Sequence, residues 1–169
     1  MTNLAGVRDS KQLTALRREA ALEVIQKYAV ALGVGAVPPD EIDVLGIVSA
    51  TREAMDLALQ MLAPPADCLL IDYLGLPDVS LPQQSLPKGD ARVLSIAAAS
   101  IVAKVRRDRM MMDLEADWPG YGFAQHKGYG TPQHRAALEA LGPTEVHRFS
   151  FAPLRQLKGD NLRRSMEGE

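Results

Sequence analysis

The sequence is poor in cysteine, in aromatic side chains and in long apolar runs, and these shortages exclude several classes of protein. Cys68 is the single cysteine among 169 residues, which excludes an intrachain disulfide and a cluster of thiolate metal ligands. The uncharged stretches at 68–71 and 93–103 are too short to span a bilayer. The first residues also lack the basic, apolar and small-residue order of a secretory signal. We therefore expect a cytoplasmic globular protein that has no membrane association.

Charge of one sign is not in large excess either. Lys and Arg number 19 against 21 Asp and Glu, so the net charge is −2. This balance argues against nucleic-acid binding through bulk positive charge. However, residues 1–87 hold 6 basic and 11 acidic side chains, whereas residues 88–169 hold 13 and 10. A basic C-terminal half can offer a local surface to a polyanion, although two differently solvated faces produce the same imbalance.

Patterns typical of helices and strands alternate along the chain and predict an α/β domain. Two predicted strands do not make a stable sheet beneath four helices, so the pattern also indicates that strands are missing. We place the domain at 1–150 and a C-terminal tail at 151–169. The predicted helices are 14–32 (with Thr14 as N-cap and Gly33 as a stop), one short and one longer helix within 40–63, about 91–117, and 132–141 after Thr131. The predicted strands are 33–37 and 67–71. The segments 72–88 and 118–130 are predicted to be loops.

Asp72 and Asp90 are the acidic residues that best fit a chemical role. Asp72 ends an apolar strand, which places its carboxylate at the edge of the sheet where α/β proteins bind ligands. Asp is also common as the first residue of an ordinary loop. Asp90 precedes a long helix and would, on its own, be read as an N-cap. Together the two carboxylates could instead hold Mg²⁺ or Mn²⁺, which prefer hard oxygen ligands.

The loop at 121–130 alternates aromatic and basic side chains between glycines. Lys127 and Tyr129 are the members best suited to neutralise phosphate and to stack on a sugar or base. Plain packing of the aromatic rings explains the same composition. The three histidines lack close metal-ligand spacing, and Cys68 within its apolar run is interpreted as a small core residue.

Taken together, five motifs resemble bacterial ribonuclease HII in order and register, over essentially the whole chain. The block at 88–110 is the most specific of them. The motifs are DSKQLT at 9–14, LLIDY at 69–73, KGDARVLSIAAASIVAKVRRDRM at 88–110, YGFAQHKGYGT at 121–131 and HRFSFAP at 147–153.

This resemblance implies a ribonuclease H-like fold, a mixed sheet flanked by helices. It also implies a metal-dependent endonuclease that hydrolyses RNA paired with DNA and cuts 5′ to single ribonucleotides embedded in duplex DNA. Four carboxylates hold Mn²⁺ or Mg²⁺ in that family, and the third and fourth fall on Asp72 and Asp90. Lys11 matches the family's phosphate contact, and Tyr129 matches the tyrosine that packs on the sugar. The expected protein is a monomer whose partner is nucleic acid.

Two parts of the family pattern have no counterpart in this sequence. They are the opening strand with its adjacent Asp-Glu pair and the Gly-Arg-Gly turn that reads the 2′-hydroxyl. We therefore expect the N-terminal strands to be missing, either because Met1 is an internal or miscalled start or because the sequence is a fragment. Tyr73 also stands where many bacterial members have Gly. The alternative function is that of a catalytically incompetent nucleic-acid-binding fragment of the same fold.

Overall fold

Helices and short strands alternate in the computed structural model, which describes residues 6–152 together with 154 and 155. The predicted tail at 151–169 therefore lies largely outside the described residues. In chain order the elements are α1 (Ala15–Tyr28), α2 (Pro39–Leu45), α3 (Ile47–Gln60), β1 (Leu69–Ile71), β2 (Gln83–Ser85), α4 (Leu94–Asp117), α5 (Phe123–His126) and α6 (Pro132–Leu141).

The chain divides into two compact units, each with its own apolar core. The first unit takes in 1–36 and 51–107, and the second takes in 37–50 and 108–169. In the first unit, α1 packs on the N-terminal half of α4, and a smaller cluster lies around β1. In the second unit the core gathers around Tyr121 and Phe123, with Met111, Leu138 and Leu154.

Threonine caps begin the two helices for which the sequence predicts them. Thr14 accepts a hydrogen bond from the Arg17 N–H (3.4 Å), and Thr131 accepts one from the His134 N–H (3.2 Å). The helix after Thr131 ends before Gly142, as predicted. Helix α1 ends at Tyr28 rather than at residue 32, because Ala29 already has extended backbone angles.

Two parallel strands form the sheet within the described residues. Leu69 is in register with Gln83 and Ile71 with Ser85. The first strand confirms the prediction at 67–71. The second lies in a segment predicted to be a loop, because its three side chains are polar and exposed and show no apolar alternation. The α/β class is confirmed, and the described part of the sheet is a parallel pair.

The predicted strand at 33–37 is wrong. This segment is not a strand; instead it crosses helix α3 at very close range. A Cβ added to Gly33 would lie 2.0 Å from the Ala58 carbonyl oxygen, and one added to Gly35 would lie 1.9 Å from that of Ala54. The two glycines therefore serve the close approach of backbone to helix, and the valines between them mimic a strand pattern.

Cys68 is exposed, so its interpretation as a core residue is also wrong. It lies directly before β1, in which Leu69 and Ile71 are buried while Leu70 is exposed. A run of apolar residues thus does not imply that every side chain in it is buried.

An open apolar groove of about 940 Å³ lies in the first unit. Its walls are formed by α1, by the parts of α3 and α4 that belong to this unit, and by β1; they include Ile25, Ala54, Met55, Ala58, Leu69 and Val102. The groove is consistent with the shortage of strands beneath the helices that the sequence predicts. No helix within the described ranges is long and apolar enough to cross a membrane.

Candidate active site

Asp72 lies at the carboxyl end of β1, directly after buried Ile71. Its side chain is half-buried, and its Oδ1 atom accepts a hydrogen bond from the Gly89 N–H at 3.0 Å. Tyr73 turns the chain away from the strand with a left-handed backbone conformation (φ 68°). The strand end thus directs the carboxylate toward the turn that carries Asp90.

Two side chains of the first unit hold the loop that follows Asp72. The Gln83 amide accepts from the Leu76 N–H (2.9 Å) and donates to the Leu76 carbonyl (2.8 Å), which ties the loop to β2. Arg52 of α3 donates to the Gly75 carbonyl (3.1 Å). Neither residue stands out in the sequence, because a single Gln or Arg within a polar segment carries no signal.

Asp90 is buried within a short 3₁₀ turn, Gly89–Ala91, that precedes α4. Lys88 opens the turn in a left-handed conformation (φ 56°). The Asp90 Oδ2 atom lies 3.4 Å from the Lys11 Nζ atom, and the two form an ion pair. Asp90 is therefore not the N-cap of α4, which begins at Leu94, and its carboxylate faces the Lys11 ammonium.

Lys11 is carried by a second 3₁₀ turn, Ser10–Gln12, whose backbone is tied down at several points. Asp9 caps the turn by accepting from the Lys11 N–H (2.9 Å). The Ser10 hydroxyl hydrogen-bonds with the Ser100 hydroxyl of α4 (2.7 Å). Arg18 of α1 donates to the Ser10 carbonyl (3.1 Å). The Lys11 side chain itself is 80% exposed, so it can meet a ligand while it stays near Asp90.

The pKa of Lys11 is raised, first by its hydrogen bond with Asp90 and then by the charge of that carboxylate. The charges of Asp9 and Asp72 add to this effect, and partial desolvation opposes it. Lys11 is therefore an ammonium group throughout the neutral pH range. The carboxylates of both predicted metal ligands, Asp72 and Asp90, thus contribute to the raised pKa of Lys11.

The described residues do not form a complete divalent-cation site. Asp72 and Asp90 are hard oxygen donors of the kind that Mg²⁺ and Mn²⁺ prefer. However, no group of three or more His, Cys, Asp or Glu side chains capable of holding a metal ion occurs in the part of the chain that the structure describes. Two carboxylates, one of them paired with Lys11, fall short of the several that a two-cation site needs.

Lys127 and Tyr129 belong to the second unit, in the loop after α5. Lys127 has a left-handed backbone (φ 52°) and a half-buried side chain, whereas Tyr129 is 62% exposed. The Tyr129 N–H donates to the His126 carbonyl (2.9 Å), which closes the turn between them. The loop is therefore an ordered structure that presents an aromatic ring to solvent.

Comparison with known proteins identifies the family of this chain. The family model described as Ribonuclease HII matches residues 1–154. The chain belongs to the ribonuclease HII family. It is 55% identical over 154 residues to the ribonuclease HII of Chloroflexus aggregans, covering 91% of this chain and 73% of that protein. It is 54% identical to the enzyme of Roseiflexus castenholzii over 167 residues, covering 98% and 75%.

The fold comparison agrees with the predicted ribonuclease H-like architecture. The crystal structure of the ribonuclease H2 from Pyrococcus horikoshii OT3 matches with a TM-score of 0.75 over 92% of this chain and 81% of that one, at 24% sequence identity. Ribonuclease HII enzymes are hydrolytic endoribonucleases of the ribonuclease H type, which act on RNA within RNA–DNA hybrids. The resemblance found from the motifs is thus confirmed at the level of family, fold and reaction class.

Proposed function

We propose that this chain carries part of the metal-dependent catalytic centre of a ribonuclease HII, with Asp72 and Asp90 as cation ligands and Lys11, Lys127 and Tyr129 as substrate contacts. The substrate is an RNA–DNA hybrid or a DNA duplex with one embedded ribonucleotide, cut on the 5′ side of the ribonucleotide. The cation is Mn²⁺ or Mg²⁺. The cytoplasmic location and the monomeric state stay predictions.

One observation carries this proposal: the hydrogen bond from the Gly89 N–H to Asp72 Oδ1 (3.0 Å). It brings the carboxylate at the end of β1 beside the turn that holds buried Asp90, although the two residues are 18 positions apart along the chain. Uncompensated carboxylates repel one another, so a site that gathers them needs a cation nearby. Lys11, at 3.4 Å from Asp90, supplies one positive charge.

The remaining roles follow from exposure and charge. Because the Lys11 ammonium is 80% exposed, it can also neutralise a backbone phosphate, which supplies affinity without reading sequence. Lys127 can act in the same way. The exposed Tyr129 ring can pack on the sugar next to the ribonucleotide. Distinguishing RNA from DNA requires contact with the 2′-hydroxyl group.

A nicking assay on a fluorescently labelled DNA duplex with one ribonucleotide, in Mg²⁺ or Mn²⁺, tests the ligand assignment. In a form of the chain that also carries the family's opening Asp-Glu strand, we expect Asp72→Asn and Asp90→Asn each to lower nicking at least about 100-fold, since several kcal/mol of transition-state stabilisation depend on charge at such a site. Asp78→Asn, which changes an exposed carboxylate of the same unit, is the matched control and should retain activity. Full turnover by Asp72→Asn would overturn the assignment.

A second candidate function is binding without cleavage. The shortage of carboxylates among the described residues favours it. Fluorescence anisotropy with the same duplex separates the two candidates: retained binding without metal-dependent nicking supports the binding fragment, whereas nicking by this chain rejects it.

A further inference from the structure

Three histidines of the second unit, set aside in the sequence because of their spacing, meet in one buried cluster. His126, His134 and His147 are each no more than 7% exposed. The rings of His126 and His134 stack with centroids 4.2 Å apart. Phe123 contacts all three rings, with centroid distances of 5.4–5.8 Å. Side chains from α5, from α6 and from the segment after α6 thus share a single apolar environment.

Hydrogen bonds determine where the protons lie on His147 and His134. The Thr144 backbone N–H, which can only donate, points at His147 Nδ1 (3.1 Å), and the Thr144 hydroxyl lies 2.8 Å from the same atom. His147 Nδ1 is therefore an acceptor, and the proton of the neutral ring is on Nε2. That Nε2–H faces His134 Nε2 at 3.3 Å, so His134 accepts there.

His134 then carries its proton on Nδ1 and donates it to the Tyr129 carbonyl at 3.0 Å. This gives a directed chain from Thr144 through His147 and His134 to the Tyr129 backbone. The Tyr129 carbonyl also accepts from the backbone N–H of Thr131 (2.8 Å), the residue whose side chain caps α6. The series of hydrogen-bonded imidazoles thus ends on the backbone carbonyl of Tyr129, the residue proposed to pack on the substrate.

His126 closes the other side of the same loop. The Gly128 N–H donates to His126 Nδ1 (3.1 Å), so the His126 Nε2–H donates to the Tyr121 carbonyl (2.7 Å). Lys127, between these residues, is held in its left-handed conformation by the turn. Every ring nitrogen of the cluster is engaged when the three imidazoles are neutral.

We infer that His134 and His147 are positioning residues that hold the Lys127–Tyr129 loop in its substrate-contacting conformation through a relay of neutral imidazoles. This inference rests on the proposed function for the part that concerns substrate. A second proton on His134 or His147 would bring two N–H groups face to face at 3.3 Å or would oppose the Thr144 N–H. Protonation of either ring therefore breaks the contact between the two imidazoles or the bond from Thr144, while the His134 Nδ1–H still donates to the Tyr129 carbonyl.

The direction of the pH dependence agrees with this geometry. Burial is the largest cause that lowers the pKa of both His134 and His147, and the charge of the neighbouring histidines lowers it further, whereas the backbone hydrogen bonds with Tyr129 and Thr144 oppose the shift. The folded protein thus binds fewer protons than the unfolded chain. The contribution of the neutral histidines to the free energy of unfolding is fully present above the ordinary histidine pKa of about 6.5 and is lost as pH falls below it.

Other polar and titratable groups border the cluster. The Tyr121 hydroxyl donates to the Gly142 carbonyl (2.7 Å), and the Glu115 carboxylate of α4 accepts from the Ala124 N–H (3.2 Å) beside Phe123. His126 is the titratable group whose charge acts on both His134 and His147.

Amide hydrogen exchange of the full chain tests the relay without any nucleic acid. Four loop amides report on it, because the N–H groups of Lys127, Gly128, Tyr129 and Thr131 are hydrogen-bonded within the loop. We expect His134→Leu to speed exchange of these amides about tenfold, and His134→Asn, whose amide nitrogen replaces Nδ1, to restore protection. Glu139→Gln, an exposed change on α6, is the control.

A binding titration with the ribonucleotide-containing duplex tests the consequence for substrate. Between pH 8 and 5.5 we expect wild-type affinity to fall about tenfold, whereas His134→Asn keeps near-normal affinity at pH 7.5 with a flatter profile. ¹⁵N-correlated spectra should show protons on His134 Nδ1 and His147 Nε2. Charged rings at pH 7.5, or unchanged loop exchange in a folded His134→Leu, would overturn the inference. Altered exchange without any duplex binding would refute the proposed function alone.

Discussion

Backbone strain at single residues is concentrated beside the groups assigned to the site. Among the described residues, three other than glycine have positive φ: Tyr73 follows Asp72, Lys88 precedes the Gly89–Ala91 turn, and Lys127 is itself a proposed substrate contact. Left-handed backbone costs an ordinary residue about 1–2 kcal/mol. Strain of this kind persists where the surrounding structure demands a particular direction of the chain, as it does at the end of β1.

Tyr73→Gly should therefore stabilise the protein by about 0.5–1 kcal/mol. Glycine removes the left-handed penalty and gives back part of that gain as backbone entropy. Little packing is lost, because Tyr73 is 76% exposed. Denaturant unfolding measures the change. Tyr73→Ala is the matched control: it removes the ring but keeps the strain, and a gain equal to that of Gly would show that the ring, not the backbone, is responsible.

Lys11→Ala should weaken duplex binding and also lower the free energy of unfolding. The Lys11 ammonium is 80% exposed, but its partner Asp90 is buried, so removal of the cation leaves that carboxylate without a compensating charge. One lost phosphate contact should reduce the slope of log affinity against log salt by about 0.9. Lys27→Ala, an exposed lysine of α1, is the control. Equal slopes for wild type and Lys11→Ala would remove Lys11 from the substrate surface.

The sequence predicts individual residues of the site better than it predicts the contacts between them. Asp72 and Asp90 are identifiable because each has a distinctive local setting, a strand end and a helix-opening turn. The contact of Asp72 with the turn that holds Asp90 cannot be predicted, because its donor is the Gly89 backbone N–H and every residue type except proline supplies such a group. The histidine relay is hidden for the same reason: its order comes from the packing of α5, α6 and the 144–147 turn.

At the scale of elements, Asp43 fastens helix α2 to the segment that follows α6. Its carboxylate accepts from the Phe149 N–H (2.6 Å), the Ser150 N–H (3.0 Å) and the Ser150 hydroxyl (2.5 Å). These contacts join parts of the second unit that lie more than 100 residues apart in sequence. No motif in the sequence predicts this contact.

Asp43→Ala should lower the free energy of unfolding by about 2 kcal/mol, since hydrogen bonds to a charged acceptor are strong and three donors lose their partner. Asp40→Ala, on the exposed side of the same helix, should cost about 0.5 kcal/mol through the lost helix-dipole interaction. Thermal or denaturant unfolding compares the two. Equal losses would mean that the link between α2 and Ser150 is not a stabilising one.

Helices are predicted better than strands in this chain, for a physical reason. Caps and apolar spacing are local, and they locate α3, α4 and α6. A strand needs a partner strand elsewhere in the chain, and the two wrong assignments, β2 and 33–37, both concern strands. Polar β2 is a strand because it pairs with β1, whereas the valines at 33–37 are not, because Gly33 and Gly35 bring that segment onto α3.

At the scale of the whole molecule, the first unit leaves much apolar surface uncovered. The groove of about 940 Å³ borders β1, whose Leu70 is 45% exposed. Parallel strands are normally covered on both faces and on both edges. Within the described ranges, β1 has a partner strand on one edge, namely β2. Surface of this size and character favours association with other apolar surface.

The chain should therefore self-associate as its concentration rises, so the predicted monomer is expected at low concentration. Sedimentation velocity measures the association, and an apolar fluorescent dye reports access to the groove. Leu70→Lys places a charge on β1 at the groove and should shift association to at least about tenfold higher concentration. Leu16→Lys, which changes an 81% exposed leucine of α1 outside the groove lining, is the matched control and should leave association unchanged. If both variants behave alike, association does not proceed through β1 and the groove.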